Sequence, residues 1–218
     1  MIEQILPPEA AAAEAFEDAP GTVLFPEEEA AVARAVPKRR NEFTTARSCA
    51  RAALATLGLP PVPIVPGLRG APQWPAGVTG SITHCAGYRA AAVARVRDIA
   101  SLGVDAEPND VLPDGVLERI ALPGEQAALP GLAAVHPGVA WDRLLFCAKE
   151  AVYKAWFPLT RRWLGFEEAE ITFGSRDGTF TARLVEPDVA LDGRPLETFA
   201  GRWLARDGLV LAAITVPA

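Results

Sequence analysis

The chain has 218 residues, enough for one large domain or two small ones with a real core. Half of the residues are apolar, 22% are charged and the formal net charge is -6. This is a globular composition, which excludes a disordered or fibrous chain. The acidic balance argues against general affinity for nucleic acid or anionic membrane, whose phosphates need a positive partner surface. No uninterrupted apolar stretch is long enough to span a bilayer. Residues 1–7 lack a basic region followed by an apolar run, so no secretory signal is expected. Cys49, Cys85 and Cys147 are widely spaced and odd in number, which fits reduced thiols in a cytoplasmic protein. With only His84 and His136, a His-rich zinc site is not expected.

In chain order, the Ala- and Glu-rich stretch 8–18 predicts a helix. Pro26 followed by three glutamates opens another, with Pro at the first position and acids in the first turn. Pro37 opens a third helix, which Gly58 closes. There Phe43, Ala46, Ala50, Ala53, Leu54 and Leu57 recur at helical spacing and predict the buried face. Arg40, Arg47 and Arg51 share another face, either a solvated basic surface or a phosphate-binding edge. A Pro-rich connector over 60–75 precedes strand-like runs at 78–83, 89–96 and 99–104. Residues 141–157 form an amphipathic helix whose apolar stripe is Trp141, Leu144, Leu145, Ala148, Ala151, Val152 and Ala155. Alternating runs at 169–173, 179–184, 198–205 and 209–216 predict a strand-rich tail. The expected class is α+β, with two sub-lobes over 1–100 and 101–218.

Three clusters can carry chemistry. Asp105 and Glu107 end an apolar run two residues apart, so a persisting strand puts both carboxylates on one face. A hard divalent cation such as Mg²⁺ would relieve their repulsion, although a lone Asp-x-Glu is far more often an exposed acidic strand end. Glu150 and Lys154 lie one helical turn apart, which alone is an ordinary surface pair worth about 0.2–0.5 kcal/mol. Cys147 shares that face and reads as a small buried residue rather than a nucleophile. Thr83 and His84 close a strand with a hydroxyl and an imidazole, structural or donating to phosphate. Together they offer three carboxylates for a metal and several cations for a multiply phosphorylated ligand.

The run Gly103-Val104-Asp105-Ala106-Glu107, followed by Phe146-Cys147-Ala148-Lys149-Glu150-Ala151-Val152-Tyr153-Lys154, resembles the paired motifs of the 4′-phosphopantetheinyl transferase superfamily. Arg39-Arg40-Asn41-Glu42-Phe43, Trp74-Pro75-Ala76-Gly77 leading into Gly80-Ser81-Ile82-Thr83-His84-Cys85, and Trp163-Leu164-Gly165-Phe166 are similar to its surfactin-activating and enterobactin-synthetase-activating branch. The resemblance covers about residues 39–173. It implies a pseudo-two-fold fold of two similar α/β lobes with the active site between them, in a monomeric enzyme. It implies Mg²⁺, or Mn²⁺, held by Asp105, Glu107 and Glu150, with coenzyme A as co-substrate. Lys154 then falls on the pyrophosphate contact and Lys149 is a further coenzyme A contact, with Thr83 and His84 near the 3′-phosphate end and Arg39 or Arg40, Arg47 and Arg69 near the nucleotide phosphates. The implied reaction is attack by a serine of an apo acyl or peptidyl carrier protein on the phosphorus bearing the pantetheine arm, releasing adenosine 3′,5′-bisphosphate. Glu150 or a water on the metal accepts the serine proton. Arg161, Arg162 and Trp163 are candidates for carrier contact, or else a basic turn with a packed Trp. Two other readings use the same residues: a metal-dependent phosphodiesterase, and a non-catalytic scaffold that binds coenzyme A or a carrier.

Overall fold

A computed structural model describes residues 1–18, 21–174, 177–185, 190–191 and 193–218. Its elements are β1 (Ala10–Ala15), α1 (Pro26–Val32), α2 (Pro37–Thr56), β2 (Val78–Cys85), β3 (Tyr88–Arg95), β4 (Ile99–Pro108), α3 (Leu117–Ile120), α4 (Pro123–Val135), α5 (Trp141–Thr160), β5 (Ala169–Phe173), β6 (Thr179–Leu184), β7 (Ala190–Leu191), β8 (Arg194–Pro195), β9 (Thr198–Arg206) and β10 (Leu209–Pro217). One antiparallel sheet has the order β1-β3-β2, and a second has the order β4-β10-β9-β6-β5. Each carries one twenty-residue helix, α2 on the first and α5 on the second. The class is α+β, as expected.

The stretch 8–18 is the one element of the wrong type: it is strand β1, not a helix. It pairs antiparallel with β3, in register from Ala10 opposite Ala94 to Ala15 opposite Arg89. Ala11, Ala13 and Ala15 pack beneath α2, while Ala10 and Ala12 pack with Ile2, Ile5 and Tyr88 on the other face. Sheet pairing and burial on both faces override the helix preference of alanine, which is only a weak prior. Alanine on both faces also erases the period-two contrast that would have marked a strand.

The predicted buried face of α2 is in place, with Phe43, Ala46, Ala50, Ala53 and Leu54 all buried. The predicted basic face of Arg40, Arg47 and Arg51 has partners inside the protein. Arg40 pairs with Glu29 of α1. Arg51 donates to both oxygens of Glu28, at 3.0 and 2.9 Å. Glu28 is fully buried and also accepts from the backbone N–H of Phe25 and Ile64. One carboxylate thus ties α1, α2 and the connector together. Burial makes that network costly to break, because a lone buried charge has no water to stabilise it.

The core of the five-stranded sheet is built on α5. Its whole predicted stripe is buried, and Trp141 meets Trp203 edge-on with ring centroids 5.0 Å apart. Gly103 sets the approach of α5 to β4. A Cβ there would run into the carbonyl oxygen of Ala151 and come within 2.6 Å of the Ala155 nitrogen. Glycine is what lets the helix lie directly on the strand, and that contact places α5 side chains against the carboxylates of β4.

Candidate active site

On β4, Gly103, Asp105 and Glu107 alternate onto the face that meets α5. Asp105 is 5% exposed. Its Oδ1 accepts from Lys154 Nζ at 2.6 Å and from the hydroxyl of Thr83 at 3.0 Å. Its Oδ2 is buried with no hydrogen-bond partner. Lys154 also donates to the carbonyl of Val104. Burial alone would lower the Lys154 pKa, but the Asp105 carboxylate outweighs it and the pKa rises.

Glu107 lies 3.4 Å from Nη1 of Arg143, which also donates to the carbonyls of Asp110 and Val111. Burial, reinforced by the charge of Asp105, pushes the Glu107 carboxyl up to about 7 against the opposing pull of Arg143. Burial likewise raises Glu150, with Lys154 opposing and Asp105 adding. These three acids thus sit within electrostatic reach of one another. Among the described residues, however, no three His, Cys, Asp or Glu side chains are gathered as a ready-made metal group. Lys154 and Arg143 act as the counter-charges instead.

The remaining expected residues fall in several places. Lys149 is buried on another side of α5, and its ammonium donates to the carbonyls of Phe166 and Ala169 and pairs with Glu125 at 2.9 Å. Three acceptors for three protons leave it none for a ligand. Arg39 donates to Nε2 of His84, and His84 Nδ1 faces Glu42 at 3.8 Å. Burial, then the Arg39 charge, lowers the His84 pKa and favours the neutral ring. Arg47 is buried, stacks 3.9 Å over Phe43 and donates to the Ile64 carbonyl, with its pKa lowered to about 10 by burial. Arg40, as noted, pairs with Glu29.

Arg69 has a positive φ of 55° and stacks 5.1 Å over Trp163, which in turn packs on Tyr153 at 5.0 Å. Trp163 is 57% exposed and rims a cavity of about 130 Å³ beside Glu150. The hydroxyl of Tyr153 is buried without a hydrogen-bond partner.

Sequence reasoning missed two contributors. Arg143 stands seven residues before Glu150, two turns along the same helix face, and that spacing carried the signal. Glu125 comes from α4 and is brought to Lys149 only by the fold.

A family model of the 4′-phosphopantetheinyl transferase N-terminal domain matches residues 27–94, and one of the 4′-phosphopantetheinyl transferase superfamily matches residues 101–203. The chain is 60% identical over 221 residues to the 4′-phosphopantetheinyl transferase Svp of Streptomyces mobaraensis, covering 100% of this chain and 90% of the relative. It is 53% identical over 208 residues to the 4′-phosphopantetheinyl transferase PptT of Mycobacterium tuberculosis, covering 94% and 91%. It is 54% identical over 222 residues to the 4′-phosphopantetheinyl transferase Npt of Nocardia iowensis, covering 98% and 99%. With both halves of the chain matched and relatives aligned over nearly their whole length, the protein belongs to the 4′-phosphopantetheinyl transferase superfamily and is an enzyme that transfers phosphopantetheine from coenzyme A to carrier proteins.

Proposed function

We propose that the transfer is divalent-metal-dependent, with Mg²⁺, or Mn²⁺ in its place, held by Asp105, Glu107 and Glu150. The observation that carries this is the buried, unpartnered Oδ2 of Asp105 on a face shared with the Glu107 carboxyl, whose pKa burial raises. An orphaned buried oxygen is costly unless something occupies it. The donor set is all carboxylate oxygen, the chemistry that hard cations take. The residues therefore fit: Lys154 occupies Oδ1 of Asp105 and leaves Oδ2 open, while a cation competes with Arg143 for Glu107. A cation bound there supplies charge neutralisation and Lewis-acid polarisation of the phosphate under attack.

The protein's own groups do the rest. Lys154 presents a positive charge to the coenzyme A pyrophosphate from the floor of the site. Arg39, oriented by its bond to His84, meets the nucleotide phosphates, with Arg40, Arg47 and Arg69 as further contacts. Glu150, its pKa raised by burial, accepts the proton of the attacking carrier serine. The leaving group is adenosine 3′,5′-bisphosphate. The lobe of residues 1–100 contributes the nucleotide contacts and that of 101–218 the acids. The carriers are acyl or peptidyl carrier domains of polyketide, peptide or siderophore assembly, met through Arg161, Arg162 and Trp163. The enzyme acts as a cytoplasmic monomer; among the described residues no helix is long and apolar enough to cross a membrane.

The test is to follow adenosine 3′,5′-bisphosphate release from coenzyme A with and without an apo carrier, before and after EDTA. Release only with carrier, abolished by EDTA and restored by Mg²⁺, is expected. Release without carrier would favour a phosphodiesterase, and release indifferent to EDTA would remove the metal from the mechanism.

A further inference from the structure

The two sheets meet along β2 and β4, and side-chain hydroxyls, not a backbone ladder, hold the seam. Ser81 Oγ accepts from the Val104 N–H at 3.0 Å and reaches back to the Val104 carbonyl at 3.4 Å. Two residues on, Thr83 Oγ1 accepts from the Ala106 N–H at 3.0 Å and donates to Asp105 Oδ1 at 3.0 Å. Ser81 and Thr83 alternate onto the same face of β2, and both are buried.

This geometry fixes the Thr83 hydroxyl. The Ala106 N–H takes one of its lone pairs, so its single proton points away from that amide and toward Asp105. Oδ1 of Asp105 is then gripped by two donors, Thr83 and Lys154, while Oδ2 has none. We infer that Thr83 is a positioning residue: with Lys154 it holds Oδ1 of Asp105, so that Oδ2 is the one oxygen Asp105 presents to a divalent cation. The same hydroxyl ties the β2 end, where His84 and Arg39 stand, to the acids of β4, so the two halves of the site share one hinge point. This rests on the metal reading above. It also departs from the expectation that Thr83 touches a ligand phosphate, because its proton and one lone pair are already engaged.

The experiment compares Thr83→Val, which keeps the shape and removes the hydroxyl, with Thr83→Ser, which keeps the hydroxyl. Thr83→Val is expected to raise the Mg²⁺ concentration for half-maximal transfer about tenfold, as loss of an outer partner of a metal ligand does, with Thr83→Ser close to wild type. Coenzyme A affinity measured by calorimetry in EDTA should not change in Thr83→Val. A tenfold weakening there, with normal Mg²⁺ activation, would overturn the inference in favour of direct ligand contact. A ligand-free readout separates this from failure of the metal reading. In a double-mutant cycle of Thr83→Val and Asp105→Asn, denaturation midpoints should be non-additive. Additive midpoints overturn the link. If wild-type transfer ignores EDTA, the metal reading falls and the cycle alone decides the Thr83–Asp105 link.

Discussion

Lys154 Nζ lies 2.6 Å from Asp105 Oδ1, joining α5 to β4 at the centre of the site. The carboxylate is almost fully buried and the ammonium about a quarter exposed, with side-chain exposures of 7% and 26%. A cation at this position therefore stabilises the resting enzyme as well as meeting an anionic ligand.

Lys154→Met should lower stability by about 2–3 kcal/mol, below the full cost of breaking a buried pair because Lys154 is partly exposed. Added Mg²⁺ should raise the thermal midpoint of the variant more than that of wild type, because a cation on Oδ2 restores the counter-charge that buried Asp105 loses with Lys154, and binding to the native state alone stabilises it. Differential scanning fluorimetry across a Mg²⁺ series reads this out. Equal shifts would mean that the metal and Lys154 do not share Asp105.

Gly103→Ala tests the close approach of α5. The added Cβ meets the Ala151 carbonyl and the Ala155 nitrogen, so helix and strand must part. Overpacking of this kind costs about 1–3 kcal/mol. Transfer activity should fall further than stability does, because Glu150 and Lys154 move with the helix. Urea unfolding and a carrier-modification assay on the same preparation give both numbers.

The Glu125–Lys149 pair anchors α5 to edge strand β5. Glu125 accepts from the Ile171 N–H at 2.6 Å, and Lys149 donates to the Ala169 carbonyl at 2.9 Å, so a buried ion pair covers the outward polar groups of the edge. The two side chains are only 1% and 2% exposed. Lys149→Met alone should cost about 3–5 kcal/mol by leaving Glu125 unpaired, and the double variant Lys149→Met, Glu125→Leu less than that. Chemical denaturation of the two variants checks the order. A double variant less stable than the single one would contradict it.

His84 gives a pH dependence with a definite sign. Burial and Arg39 hold its folded pKa below the unfolded value of about 6.5. The unfolded chain therefore takes up the proton first, and this stability is present above pH 6.5 and lost as pH falls from there toward the folded pKa. His84→Gln should flatten the stability profile in that window. Denaturation midpoints from pH 7.5 to 5 measure it.

Much of this architecture is written in the residues. The strands at 169–173 and 179–184 fall where alternation puts them, and helix α5 starts at Trp141 as its stripe predicts. Strand β1 was not legible, because a run of alanines has no polar face and its strand character comes from pairing with β3. In the site, the strand period put Asp105 and Glu107 on one face. The helical period similarly aligned Glu150 with Lys154. What the sequence could not carry was the tertiary choice of partners. Lys149 and Lys154 are both lysines beside the motif glutamate, yet α4 claims one and β4 the other. Arg47 and Arg51 share the predicted basic face, but their partners Ile64 and Glu28 lie in segments that only the fold brings near.

The proposed metal dependence of transfer rests on the Asp105, Glu107 and Glu150 acids. Its most direct test is intact-mass spectrometry of a panel of apo carrier proteins incubated with the enzyme, coenzyme A and Mg²⁺. One phosphopantetheine added per carrier, lost with EDTA and lost with Glu150→Gln although that variant still folds, is the predicted result. Undiminished modification by Glu150→Gln, or in EDTA, would contradict it.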